Sequence, residues 1–218
     1  MNKLLVLLAV TILNVGCSEA DTINVTLTYI DGVRETREYP SSTDSLNFSH
    51  EDFVQIDGLE DFKNLREISF SRMMNISDWS FLQNIDTLET LWMNFVEIDK
   101  LAMIFAIPNL EEVILQAVKV SVEDTGNIQI ASSNLVYLEI TDSELTRIPS
   151  FYLFPDSLKF ANFGKNSISQ VDEDILVQNK GTIFFLAGNP IRLPNIGNCI
   201  TGESYYDLLP SEYLKYSM

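Results

Sequence analysis

Leu135-Val136-Tyr137-Leu138-Glu139-Ile140 is the stretch that decides how this chain folds. Its apolar first, fourth and sixth places return in Leu65-Arg66-Glu67-Ile68-Ser69-Phe70, Leu88-Glu89-Thr90-Leu91-Trp92-Met93 and Leu110-Glu111-Glu112-Val113-Ile114-Leu115. They return again in Leu158-Lys159-Phe160-Ala161-Asn162-Phe163. The copies start at 65, 88, 110, 135 and 158, so a unit of 22 to 25 residues is repeated. A period of that size marks a solenoid, in which each unit forms one turn stacked on the last.

The fourth and sixth places alternate with outward neighbours as in a short strand, so each copy directs one apolar side inward. One turn cannot bury that side alone. Parallel stacking buries a continuous row of Leu, Ile and Phe, each stabilising by roughly 1.5–3 kcal/mol when removed from water. Beyond the sixth place the frame continues with a ninth and an eleventh. These are Asn166 and Ile168, Ser143 and Leu145, Val118 and Val120, and Val96 and Ile98.

In this frame the chain resembles the leucine-rich repeat family, whose pattern is L-x-x-L-x-L-x-x-N-x-L. Gly181, Phe184, Leu186, Asn189 and Ile191 extend it forward, and a degenerate copy with Thr43, Leu46, Phe48 and Phe53 extends it back. Seven turns then cover residues 43–191, with one residue too many in Arg72-Met73-Met74-Asn75-Ile76. The resemblance implies an α/β solenoid with a curved parallel sheet on its concave face and short helices and irregular segments on its convex face. It also implies that Asn166 and Asn189 hydrogen-bond backbone groups left unpaired where the chain turns after each strand. Val96 and Val118 depart from that pattern. On the convex side Asp99 is expected to cap a helical run from Lys100 to Ala106, and Asp172 to open a short helix ended before Gly181. Pro149 and Pro155 indicate irregular structure in the fifth turn.

The two ends differ from the repeat. Residues 1–16, with Lys3, the apolar run Leu4 to Leu13 and then Gly16, read as a signal peptide too short to span a bilayer. Gly16-Cys17 resembles the lipobox of bacterial lipoproteins, which implies lipidation at Cys17, although Asn14 stands where that motif has an apolar residue. The other reading is an ordinary secretory cut near Gly16 or Ala20, under which the Asn24, Asn47 and Asn75 sequons would matter in a glycosylating host. Residues 17–42 form an N-terminal cap: Thr22 to Ile30 alternates, Asp31-Gly32 turns the chain, and Val33 to Tyr39 returns as a hairpin. Residues 192–218, with Tyr205, Leu208, Leu209, Tyr213 and Leu214, form the C-terminal cap. Cys199 is the only cysteine besides Cys17, so there is no disulfide framework.

The net charge of −17 disfavours nucleic acid and any polybasic membrane contact. A lipid at Cys17 would be the membrane anchor. Enzyme chemistry has little to draw on, with one histidine, His50, far from Cys199, no phosphate loop, no metal set and no cofactor motif. Glu112 and Glu139 on neighbouring strands leave a remote reading as the acid pair of a glycan hydrolase.

The outward places carry most of the functional information. Small polar residues occupy the early turns, whereas Trp92, Phe95, Ile114, Tyr137, Phe160 and Phe185 are expected on the concave face of later turns, beside Glu139. Large aromatics offered on one face mark a protein-binding surface, unless the C-terminal tail folds over Phe160 and Phe185. The sequence therefore implies a non-enzymatic, secreted, lipid-anchored protein of a bacterial cell envelope that binds a protein partner. A structural role through self-association of the same face is the alternative.

Overall fold

The computed structural model describes residues 21–76, 78–120, 128–149 and 154–191, and the backbone of 199–200. The expected signal peptide, Cys17 and the C-terminal cap, apart from that dipeptide, lie outside the described residues.

The first two strands, β1 (Thr22–Tyr29) and β2 (Arg34–Pro40), form an antiparallel hairpin with Thr22 opposite Pro40 and Thr28 opposite Arg34. Its turn uses Gly32 at φ 83°, and the Asp31 carboxylate accepts from the Val33 N–H at 3.0 Å. Two short strands follow, β3 (Ser45–Ser49) and β4 (Phe53–Asp57), the second pairing antiparallel with β1 and so fastening the hairpin to the first turn. Then come β5 (Glu67–Ser71), β6 (Thr90–Asn94), β7 (Glu97–Ile98), β8 (Glu112–Gln116) and β9 (Lys119–Val120). The last four are β10 (Tyr137–Thr141), β11 (Phe160–Asn162), β12 (Ile183–Phe185) and β13 (Cys199–Ile200).

Strands β3, β5, β6, β8, β10, β11, β12 and β13 form one sheet whose spatial order is the chain order, and every pairing in it is parallel. Strands β7 and β9 pair separately. Such an arrangement requires the chain to make one full turn per strand with a constant hand, as in an α/β leucine-rich repeat solenoid. Register holds to the residue across the sheet. Leu46, Ile68, Leu91, Val113, Leu138, Ala161 and Phe184 stand side by side in one buried row, and Phe48, Phe70, Met93, Leu115 and Ile140 in another. At the first turns the core becomes aromatic: Phe48 stacks on Phe70 at 5.5 Å, and Phe70 meets Trp79 edge-on at 4.9 Å.

Backbone groups at the two ends of the strands are satisfied by two ladders. At the exits Asn166 accepts from the N–H groups of Ser143 and Leu145 at 2.9 and 3.2 Å and donates to the carbonyls of Ile140, Phe163 and Gly164. Asn189 repeats this one turn on, accepting from Ile168 and donating to Phe163 and Leu186. Ser143 does part of the work for the turn before, its hydroxyl accepting from the Val118 N–H at 3.1 Å. At the starts a hydroxyl beside four of the copies donates to the first-place carbonyl of the preceding copy: Thr87 to Leu65, Ser132 to Leu110, Ser157 to Leu135 and Thr182 to Leu158; before Leu110 the Asn109 amide donates to the Asp86 carbonyl instead.

The eighth place of every copy is a left-handed corner. His50, Arg72, Phe95, Ala117, Asp142 and Lys165 lie at φ 50–59° and Gly188 at 77°. Thus Phe95 and Ala117 keep the corner that Asp142 and Lys165 make, although valine follows them where the later turns have Ser143 and Asn166. In the second turn the extra residue is absorbed by pushing Met74 into solvent while Met73 and Ile76 stay buried.

On the back, α1 (Leu101–Phe105) begins after an extended Lys100 with no side-chain cap. Asp99 therefore does not cap it, because β7 keeps the chain extended to this point. The second helix, α2 (Glu173–Gln178), is capped by Asp172, whose carboxylate accepts from the Asp174 N–H at 3.0 Å. Among the described residues no helix is long and apolar enough to cross a membrane.

Candidate interaction surface

Alternate residues of the sheet point away from the core in three rows. The first is Ser45, Glu67, Thr90, Glu112, Tyr137, Phe160 and Ile183; the second is Asn47, Ser69, Trp92, Ile114, Glu139, Asn162 and Phe185. The third is Ser49, Ser71, Asn94, Gln116 and Thr141. Glu67, Glu112 and Glu139 stand in these rows, and no lysine or arginine does. Apart from Glu67, the face is small and polar over the first two strands, and it becomes aromatic beyond them, with Glu112 and Glu139.

The late aromatics are not offered to solvent as the sequence suggested. Tyr137 is 1% exposed and Phe185 0%, and they form a buried cluster with Ile114 and Phe160, against which Trp92 and Ile183 pack. Within the cluster the register sets large residues beside one another, as with the stacked rings of Phe160 and Phe185, 6.4 Å apart. Phe95 is also misplaced by the simple alternation. It stands at the left-handed corner beyond β6, half exposed, with the Arg72 guanidinium 5.7 Å above its ring.

Glu139 and Glu112 have opposite surroundings. The Glu139 carboxylate accepts from the Tyr137 hydroxyl at 2.6 Å, the Thr141 hydroxyl at 2.9 Å and the Asn162 amide at 3.1 Å. Its lone pairs are committed to holding three neighbouring side chains, which leaves little for acid–base work. Glu112 stands across from Tyr137, not from Glu139, and its Oε2 is buried with no hydrogen-bond partner. The indole Nε1 of Trp92, in the neighbouring strand, is likewise buried and unpartnered. The other tryptophan, Trp79, donates from Nε1 to the Glu97 carbonyl at 2.8 Å. Among the described residues no group of three or more His, Cys, Asp and Glu is arranged to hold a metal ion.

The parallel stack, the asparagine corners and the strand-per-turn register define a leucine-rich repeat solenoid. No family model and no curated protein matches the sequence. Among solved structures the chain is similar to an internalin (InlF) from Listeria monocytogenes, with 17% identity and a TM-score of 0.47 over 77% of this chain. The match covers 59% of the internalin chain.

Two features escaped the sequence. The hydroxyl ladder had a signal in Thr87, Ser132 and Ser157, which precede three of the copies, but their distance from the first leucine varies from one to three residues. The corner column at the eighth place had none, since its residues range from histidine to glycine.

Proposed function

We propose that this protein is a non-enzymatic, protein-binding solenoid of a bacterial cell envelope, and that its sheet face binds a basic partner around Trp92 and Glu112. The observation that carries this reading is the pair of buried, unpartnered polar atoms there, one donor and one acceptor. A buried donor or acceptor left unpaired costs about 1–3 kcal/mol, which a partner would return by displacing the side chains that shield these atoms and supplying the missing hydrogen bonds. Charge supports a basic partner, because the outward rows hold three glutamates and no cation. The same feature opposes self-association, since a two-fold contact through this face would set acid against acid.

Tyr137, Ile114, Phe160 and Phe185 serve this surface as its rigid floor, and Glu139 fixes Tyr137 and Asn162. A photo-crosslinking residue in place of Thr90, beside Trp92 on the outward face, should capture a protein from envelope extracts. The same residue in place of the exposed Val177 on α2 should not. Capture from both positions alike, or capture only of a second copy of the chain, would refute the reading.

We further propose that a lipid at Cys17 anchors the mature chain to the envelope, on the strength of the Gly16-Cys17 junction after the apolar run. Replacing Cys17 by Ser should move the protein from the membrane fraction to the soluble fraction. An unchanged distribution would exclude the anchor.

A further inference from the structure

Burial of the outward rows changes along the sheet in a way the sheet itself does not explain. Ser45, Asn47 and Ser49 on β3 are exposed, and Thr90, Trp92 and Asn94 on β6 are half-buried. From β8 to β12, Ile114, Tyr137, Phe160, Asn162 and Phe185 are buried. Strand side chains stand roughly perpendicular to the sheet, so neighbours shield one another's flanks and leave the outer ends open. An apolar sheet face becomes buried only beneath a further layer. Among the described residues no segment between strands contributes to the cluster on this face, which consists of strand residues alone; their apolar side chains go to the main core on the other side.

Position, length and composition single out one segment to supply the layer. Residues 201–218 continue from β13, the strand at the buried end of the sheet. Fully extended they reach up to about 60 Å, and the five strand spacings from β13 back to β6 come to about 24 Å. Tyr205, Tyr206, Leu208, Leu209, Tyr213 and Leu214 carry large apolar surface, and a tyrosine can bury its ring while its hydroxyl stays in water. The face accepts an apolar cover, since the Glu139 carboxylate is already satisfied by Tyr137, Thr141 and Asn162. Residues 121–127 and 150–153 are shorter, and each is tied at both ends to the main core, through Val120 and Ile128 and through Ile148 and Phe154. The chain before Thr22 enters at the opposite, exposed end of the sheet, where the hairpin is fastened to the first turn.

We propose that residues 201–218 pack across the outward face of β12, β11, β10 and β8, with their far end at the border formed by Trp92 and Glu112. The face open to a partner then narrows to β3, β5 and β6, and a partner engaging Trp92 and Glu112 competes with the end of the segment. The packing stands apart from the protein-binding reading; only the competition rests on it.

The test places a photo-crosslinking residue at Ile183 on β12 of the whole chain, irradiated at low concentration, with the linked peptides identified by mass spectrometry. Ser45, in the same row on β3, is the control. The Ile183 position should link within the chain to residues 201–218, and the Ser45 position should not. Should the substitution at Ile183 disturb the fold, hydroxyl-radical footprinting of the wild type and of the double variant Leu208→Asp, Leu209→Asp decides the matter. Oxidation of Tyr137 and Phe185 should rise severalfold in the variant, while Phe48 and Phe70 in the core keep their protection. The proposal is overturned by a link from Ile183 to another part of the chain or to a second copy, by equal linking from Ser45, or by unchanged oxidation of Tyr137 and Phe185. Failure to capture a partner from the Thr90 position would remove the competition and leave the packing in place.

Discussion

Asn166 shows how much a single side chain can carry in this molecule. Its amide accepts two backbone N–H bonds and is within donating distance of three carbonyls, all buried and all at corners where the chain leaves one strand for the back. Replacing it by alanine strands several of these groups away from water. We expect Asn166→Ala to destabilise the fold by about 3 kcal/mol, read as a lower urea midpoint at an unchanged slope. The corner column makes a prediction of opposite sign. Ala117 holds φ 52°, a conformation glycine adopts without strain, so Ala117→Gly should stabilise by about 0.5–1 kcal/mol. Gly188→Ala should do the reverse, because φ is 77° there and an added Cβ would meet Lys165 backbone and side-chain atoms at 3.2 Å. Equal signs for the two substitutions, measured by thermal unfolding, would show that the corners are not strained in the same way.

At the scale of elements, the hairpin cap is the part held by charge as well as by packing. Arg37 donates from both terminal nitrogens to Glu51, at 3.0 and 2.6 Å, and from Nε to Glu35 at 2.7 Å, while the Tyr29 hydroxyl donates to Glu35 at 2.8 Å. The guanidinium and then the phenol hold the Glu35 carboxyl below its ordinary value of 4.5, and the bonds to Glu51 and Glu35 raise Arg37 further. Burial, with the bond to Glu35, raises Tyr29. A carboxyl lowered by folding contributes stability that is complete above the unfolded value and is lost as pH falls through the folded one. Acid should therefore loosen the cap below about pH 4.5, and Glu35→Gln should unfold with a shallower dependence on pH in that range. An identical acid limb in both proteins would remove Glu35 from this role.

The elements also show what could be read in the sequence. Leu135, Leu138 and Ile140 announced their strand because inward places recur at a fixed interval, and burial tolerates only apolar residues there. Asp31-Gly32 announced its turn because few residues accept that backbone. Outward places obey no such rule. Tyr137 and Phe185 read as exposed because alternation places them outside the core, whereas their burial depends on groups distant in sequence, which local alternation does not encode. Phe95 misled for a different reason: it is itself the left-handed corner at which the chain leaves the two-residue period. Asp99 looked like a helix cap, yet β7 and an extended Lys100 postpone the helix beyond its reach.

For the whole molecule, one repeated phrase produces both a stable stack and a face whose character changes along its length. The early turns are mostly small and polar, and the late turns carry a buried aromatic cluster. Trp92 and Glu112, between them, keep polar atoms unsatisfied. The chain has two tryptophans, of which Trp79 is buried in the core with its N–H already donated. Incorporating 5-fluorotryptophan therefore gives one fluorine signal at the proposed surface and one internal control, assigned by Trp92→Phe. Titrating in the partner captured from the Thr90 position should move the Trp92 resonance and leave that of Trp79 in place. A Trp92 resonance that stays still at saturation would contradict binding at the sheet face.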